Sequence, residues 1–320
     1  MAEEPLSLKE AEMVEITTVL DNTCDMLLPS GAGVRRVNLG PRFGAKVLRA
    51  EHGFAAVVKV SGAGGAESLL FDAGLSRDGL MHNLDVLELK PAEMHAIALS
   101  HGHADHTNGL AGMVRRLGGR RMPLLLHPDA LLERKVVLPD GHETRLPPPD
   151  ARVLRHDGVE LIEERGPSYL LGNLVMITGQ IHRTTDFETG FPLHFAKVGK
   201  AWKPDPYIHD DQALVVNVRG KGLVVLTGCG HAGVINTVRQ AQILSGVERV
   251  HAIIGGFHLS GPLFEPAVAP TVAALRALAP AMIVPAHCTG WRATHLIARE
   301  FPEAFVQNSV GTRFVFSAAA

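Results

Sequence analysis

Long apolar runs are missing from this chain. No stretch reaches the roughly 18–20 residues that a helical membrane span requires, so no membrane association is expected. Charge of one sign is missing too: the net charge over 320 residues is −2, which gives no global field to draw the chain to nucleic acid or an anionic surface. The basic pairs Arg115-Arg116 and Arg120-Arg121 are short and read as a solvated helix end and a loop, so no nucleic-acid partner is expected. Cysteine is scarce. Cys24, Cys229 and Cys288 are three, widely spaced, which excludes a disulfide framework and makes a reducing cytoplasm the expected location. The opening MAEEPLSLKEAEMVEITTVL is acidic and reads as neither a secretory signal nor a transit peptide.

What is present is ordinary globular composition, 46% apolar and 20% charged. The length would fit two average domains. No linker or internal repeat is visible, however, and residues 1–320 are read as one domain. Short apolar, β-branched runs bounded by Gly, Pro or Asp recur along it: 55–60, 68–74, 96–101, 123–128, 173–179, 213–218, 222–228, 251–256, 281–287 and 313–317. Each reads as a buried strand, and a further strand is expected to precede Asp21. Leu110, Met113, Val114 and Leu117 have helical spacing, with Asn108 as the expected cap and Gly118-Gly119 as the stop. Ile235, Val238, Ala241 and Ile243-Leu244 suggest a second helix, and Val268, Val272, Leu275 and Leu278 a third, ended by Pro280. Buried strands with helical cover imply a layered α/β sandwich. The stretches 135–170 and 182–210 read as irregular surface excursions, candidate lids over a site.

The densest chemistry is SHGHADHTNG at 100–109, where three histidines and an aspartate fall within six positions directly after a buried run. His101 and His103 are two apart and project to one side of an extended stretch. Gly102 permits a tight backbone between them, and Asp105 and His106 lie on the turn into a helix. Imidazole and carboxylate in this cluster suit zinc, iron or manganese, and the four offer enough ligands for two ions. Other runs end in the same way: LVVLTGCGHAG in Cys229 and His231, AIIGGFHLSG in His258, and MIVPAHCTG in His287 and Cys288. In α/β layers, sites gather outside the carboxyl ends of strands. His231 and His287 are therefore the expected further ligands, and His258 is a site residue. His182 and Arg183 follow another apolar run and are candidates for substrate contact, Arg183 for an anionic group. Asp211, or Asp210 beside it, is a candidate to bind substrate or orient a ligand. Asp72 is a candidate acceptor for a ligand imidazole, and Asp21 and Asn22 are placed to reach the pocket. His127 is expected to cap a strand, and the remaining histidines, His194 among them, show no such setting.

FDAG (71–74), SHGHADHTNGL (100–110), TGCGHAG (227–233) and PAHCTG (285–290) together resemble the metallo-β-lactamase superfamily. The resemblance implies a four-layer αββα sandwich with a dinuclear site at one edge. EHGFA, DFETG, DDQAL and IGGFHLSG are similar to a narrower branch, named for dihydropterin–ribofuranosylaminobenzene phosphate synthase. The common pattern has a bridging aspartate after the TG of a strand end. Here Cys229 follows, so either its thiolate binds a metal or His231, the favoured ligand, takes over and Cys229 only packs.

The expected metal set is thus His101, His103, Asp105, His106, His231, His287 and Cys229, holding two divalent ions, with zinc the first expectation and iron or manganese the alternatives. Asp105 and His258 are the expected catalytic groups. A hydroxide bridging the ions would attack a small ester, lactone or phosphate-bearing substrate. The alternatives are a transferase joining a pterin-like group to an aromatic amine with release of pyrophosphate, and a non-enzymatic metal-dependent ligand binder. A small molecule is the expected partner; oligomeric state is not legible.

Overall fold

The fold was analysed in a computed structural model that describes residues 7–37, 47–117 and 120–319. Two sheets lie face to face. The first runs, across the sheet, Val159–Glu163, Met122–Leu126, Ala96–Ala98, Gly65–Phe71, Ala55–Gly62, Met13–Leu20, Arg313–Ser317 and Val34–Arg35. The second runs Ser168–Leu170, Val175–Ile177, Ala213–Val218, Gly222–Thr227, Val250–Gly256 and Met282–Ala286, with Glu10–Ala11 pairing alongside Ala213–Val218.

Strand alternation explains the layers. In Ala55–Gly62, Ala56, Val58 and Val60 enter the core between the sheets, where they meet Leu214, Val216, Val224 and Leu226. The intervening Ala55 and Val57 face outward, because successive side chains of a strand leave on opposite faces. That outer face is covered by the helices Gly79–Val86 and Leu110–Arg115 through Leu80, Leu84, Leu110 and Met113. The outer face of the second sheet is covered by Val234–Ser245, Val268–Leu278 and Trp291–Glu300 through Val238, Leu275 and Ile297. Both sheets are therefore apolar on both faces, and the result is the expected αββα order. Each fully buried Leu, Val or Phe in these layers contributes on the order of 1.5–3 kcal/mol.

Three expectations need correction. Asn108 does not cap the helix of Leu110: it closes a short helix Ala104–Thr107, and the next helix, Leu110–Arg115, follows Gly109 with no side-chain cap. The break falls there because Gly109 packs against the carbonyl of Ala73, with no room for a Cβ. Gly118 and Gly119 lie outside the described residues. The stretches 135–170 and 182–210 are not irregular throughout. Arg134–Val137, Glu143–Leu146, His194–Val198 and Ala201–Pro204 form a separate four-stranded sheet, and Val159–Glu163 joins the first large sheet. Finally, His127 begins the short 3₁₀ turn Pro128–Leu131, its ring accepting from the Asp129 N–H.

What positions the site is parallel pairing. Gly65–Phe71, Ala96–Ala98 and Met122–Leu126 are mutually parallel, as are Gly222–Thr227, Val250–Gly256 and Met282–Ala286. Parallel neighbours place their carboxyl ends on one edge. Asp72, His101, Cys229, His231, His258 and His287 all follow such ends.

Candidate metal centre

At that edge the chain turns back sharply. Asp72, His258 and His287 have φ of 60°, 46° and 48°, a left-handed conformation that costs a non-glycine residue on the order of 1–3 kcal/mol unless its surroundings hold it. Asp72 is held by the Ser100 N–H donating to Oδ1 at 2.7 Å. His287 is held by its own N–H donating to Asp21 Oδ1 at 2.8 Å and by Asn22 Nδ2 donating to its carbonyl at 3.0 Å. Asp21 and Asn22 thus brace a histidine backbone. Gly228 lies against Ser100 and Asp72 with no room for a Cβ.

One group of imidazoles meets at three nitrogens. His101 Nε2 is 3.0 Å from His103 Nδ1, and His231 Nε2 is 3.2 Å from each. A neutral ring nitrogen presents either one N–H or one lone pair. Among three in mutual contact, at least one pair must meet like to like, so protons alone cannot satisfy the triangle. Burial first, then the neighbouring histidines, hold all three rings below the ordinary histidine range. That is the neutral, lone-pair state a metal ligand needs. Ser100 helps set it. Its hydroxyl donates to Asp72 Oδ2 at 2.7 Å, so it accepts from His101 Nδ1 at 2.9 Å, leaving His101 Nε2 with its lone pair.

A second group adjoins the first. His106 Nε2 lies 3.2 Å from both His287 Nε2 and Cys229 Sγ, and Asp105 Oδ2 is 3.3 Å from His287 Nε2 and 3.7 Å from His106 Nε2. His106 Nδ1 donates to Asp72 Oδ2 at 2.7 Å. Burial opposes charge on His106, but Asp72 and Asp105 outweigh it and raise the ring to about 9; a cation here would replace the Nε2 proton. Burial likewise pushes Asp105 up, and the adjacent His106 and His287 reverse this and keep its carboxylate ionised well below the usual range.

Cys229 belongs to both groups. Its sulfur lies within 4.8 Å of the donor atoms of His101 and His231, and likewise within that distance of those of Asp105, His106 and His287. The sequence posed Cys229 and His231 as alternatives; the structure brings both to the centre. A donor set of imidazoles, one carboxylate and one thiolate fits divalent transition cations.

The expected substrate residues gather elsewhere. His182, Arg183 and Asp211 line one cavity of about 360 Å³ with Gln180, Tyr207 and His209. It is set off from the metal centre by Ala232, next to His231. Arg183 does not present a free fork to an anion. Its guanidinium donates to the carbonyls of Glu188, Ala232, Tyr207 and His231 and so clamps the loop that bears His231. Asp211 is buried, accepts from the Ala232 N–H at 2.8 Å, and is raised by burial to about 7. His182 is exposed on the rim.

A second cavity, about 280 Å³, is walled by Phe257, Leu259, Leu263 and Phe264 and reaches His231 and His258. The His258 ring centroid is 4.2 Å from that of His231 and 4.4 Å from that of Phe264. Two residues at the centre were missed in the sequence: His194, whose Nε2 is 3.1 Å from His103 Nε2, and His52, whose ring is 5.1 Å from that of His287. No local pattern marks His194, which opens a strand in a segment read as irregular. His52 follows no strand at all.

Among known proteins, the family model described as the metallo-beta-lactamase superfamily matches residues 49–245. The 7,8-dihydropterin-6-methyl-4-(beta-D-ribofuranosyl)-aminobenzene-5'-phosphate synthase of Methanocaldococcus jannaschii is 29% identical over 267 residues, covering 82% of this chain and 88% of that one. An uncharacterized protein of the same organism, MJ0448, is 29% identical over 255 residues, covering 78% and 88%. Among solved structures, Tm1679, described as a metal-dependent hydrolase of the beta-lactamase superfamily, aligns with a TM-score of 0.71 at 24% identity, covering 95% of this chain and 99% of the other.

Proposed function

Because the chain belongs to the metallo-beta-lactamase superfamily, we propose that it is a hydrolase dependent on two divalent metal ions, acting on a small ester, lactone or phosphate-bearing substrate. The observation that supports this most is the pair of adjoining donor groups, His101/His103/His231 and Asp105/His106/His287, with Cys229 shared between them. Those residues would hold the cations, with zinc the first candidate, and the chemistry these would supply is acidification of water and polarisation of a substrate oxygen.

The protein's own residues do the rest. Asp105 is the partly exposed carboxylate of the set, its side chain 21% accessible, and its ionised state lets it accept a hydrogen bond and orient water beside the substrate. His258 lines the apolar cavity beside His231 and is the candidate to exchange a proton with a leaving group. Phe191 extends that wall, its ring 5.4 Å from Phe264. The apolar wall of the cavity suits an apolar or ring-bearing group.

A transferase is the second reading, favoured by one observation: the relative covering 82% of this chain is named a synthase. The two readings separate on one assay. Zinc-loaded protein is given chromogenic esters, lactones and phosphodiesters alone, then aromatic amines with the pyrophosphate ester of a pterin alcohol as donor. Turnover of single substrates is the expected result. Pyrophosphate release only when both co-substrates are present would replace the hydrolase reading with the transferase one.

A further inference from the structure

His103 differs from the other ligands in its group. It faces the centre through Nδ1, so its Nε2 points away and must find a partner inside the protein. That partner is His194, fully buried, with Nε2 3.1 Å from His103 Nε2. On its other side, His194 Nδ1 is 3.1 Å from the Asp205 carbonyl oxygen and 3.4 Å from Asp205 Oδ2.

We infer that His194, anchored on Asp205, is the positioning residue that fixes His103 in the tautomer able to take a cation. The inference rests on the metal-centre reading above. A carbonyl only accepts, so His194 carries its proton on Nδ1 and offers a lone pair at Nε2. His103 must then donate from Nε2, which leaves the lone pair of Nδ1 directed at His101 and His231. One bond to the backbone and the ring-to-ring hydrogen bond it orients thus decide which nitrogen carries the proton on a ligand 91 residues away in sequence.

The same small sheet grips the ligand loop a second time. Arg134 opens the strand paired with His194–Val198 and binds both Asp205 and Asp210. Asp210 Oδ2 in turn accepts from the Gly102 N–H at 2.8 Å, between the two histidines. The Arg134–Val137 and His194–Val198 strands are therefore a brace for His-Gly-His, with His194 setting its proton and Asp210 its backbone. Outer partners of this kind change metal affinity by about 10–100-fold when lost.

The test uses full-length protein, its His194→Phe variant, which keeps a ring and loses the acceptor, and His194→Gln, whose Oε1 can accept from His103. Imidazole ¹⁵N spectra of the zinc-free wild type are expected to show His103 protonated on Nε2. Zinc competition with a chelator is expected to show one of two affinities weakened about 10–100-fold in His194→Phe, the other unchanged, and recovery in His194→Gln. Thermal unfolding of the zinc-free variants checks that each folds. A wild-type His103 protonated on Nδ1 overturns the inference, as does an unchanged zinc affinity in His194→Phe or a folded His194→Gln no better than Phe. A wild type that binds no zinc would remove the metal-centre reading itself, while the ¹⁵N spectra still decide the tautomer.

Discussion

Asp72 accepts from the Ser100 N–H, the Ser100 hydroxyl and His106 Nδ1, and it does so from a left-handed backbone with no exposed surface. Replacing it with alanine strands those donors in the interior. Asp72→Ala is expected to lose about 1–3 kcal/mol of stability for each donor left unpaired, and about 10–100-fold in metal affinity because two ligand rings lose their orientation. Urea unfolding and chelator competition measure the two effects separately, and a variant with unchanged zinc affinity would refute the tautomer argument for His101 and His106. At this scale the sequence was legible wherever ligand types stood directly after an apolar run. It singled out His101, His103, Asp105, His106, His231, His287 and Cys229, and the fold gathers these at one edge. Arg183, read as a candidate for an anionic group, is engaged by four carbonyls, and carbonyl acceptors leave no mark in sequence. His194 was passed over for the same reason: its importance lies in an Nε2 contact across 91 residues.

The elements that matter most beyond the two large sheets are the strands Arg134–Val137 and His194–Val198. Arg134 is 1% exposed and lies between Asp205 and Asp210. Removing it leaves carboxylates buried without their partner, a change that costs on the order of 3–5 kcal/mol. Arg134→Ala is therefore expected to lower the unfolding free energy by that amount, seen in urea as a lower midpoint with an unchanged slope, and to disturb the Gly102 turn through Asp210. A loss near zero would mean that this sheet is an appendage. The sequence read these strands as irregular because they are short, carry charged residues, and pair with each other far apart in the chain (Arg134 with Ala196). The long buried strands were read correctly because their apolar runs on both faces admit no other placement. Asn108 failed as a cap because the close approach of Gly109 to Ala73 breaks the helix there, a tertiary event that helical spacing does not encode.

On the scale of the whole molecule, the candidate metal centre is where the two halves of the sandwich meet. His101, His103, Asp105 and His106 come from the first sheet's edge, and Cys229, His231 and His287 from the second's. Cations held between them would cross-link the halves, so chelation should cost the whole fold stability rather than one loop. A ligand at a thousand times its Kd stabilises by about 4 kcal/mol. EDTA-treated protein is expected to unfold in a single transition at a clearly lower temperature than zinc-loaded protein, and recovery on adding zinc checks reversibility. An unchanged Tm would separate the site from the fold's stability.

The most direct measurement is zinc stoichiometry by equilibrium dialysis on the wild type, His103→Ala and His287→Ala. The expected values are two ions per chain for the wild type and about one for each variant, because each loses a donor from a different group. A wild type that retains no zinc, or variants that still hold two ions at unchanged affinity, would contradict the account.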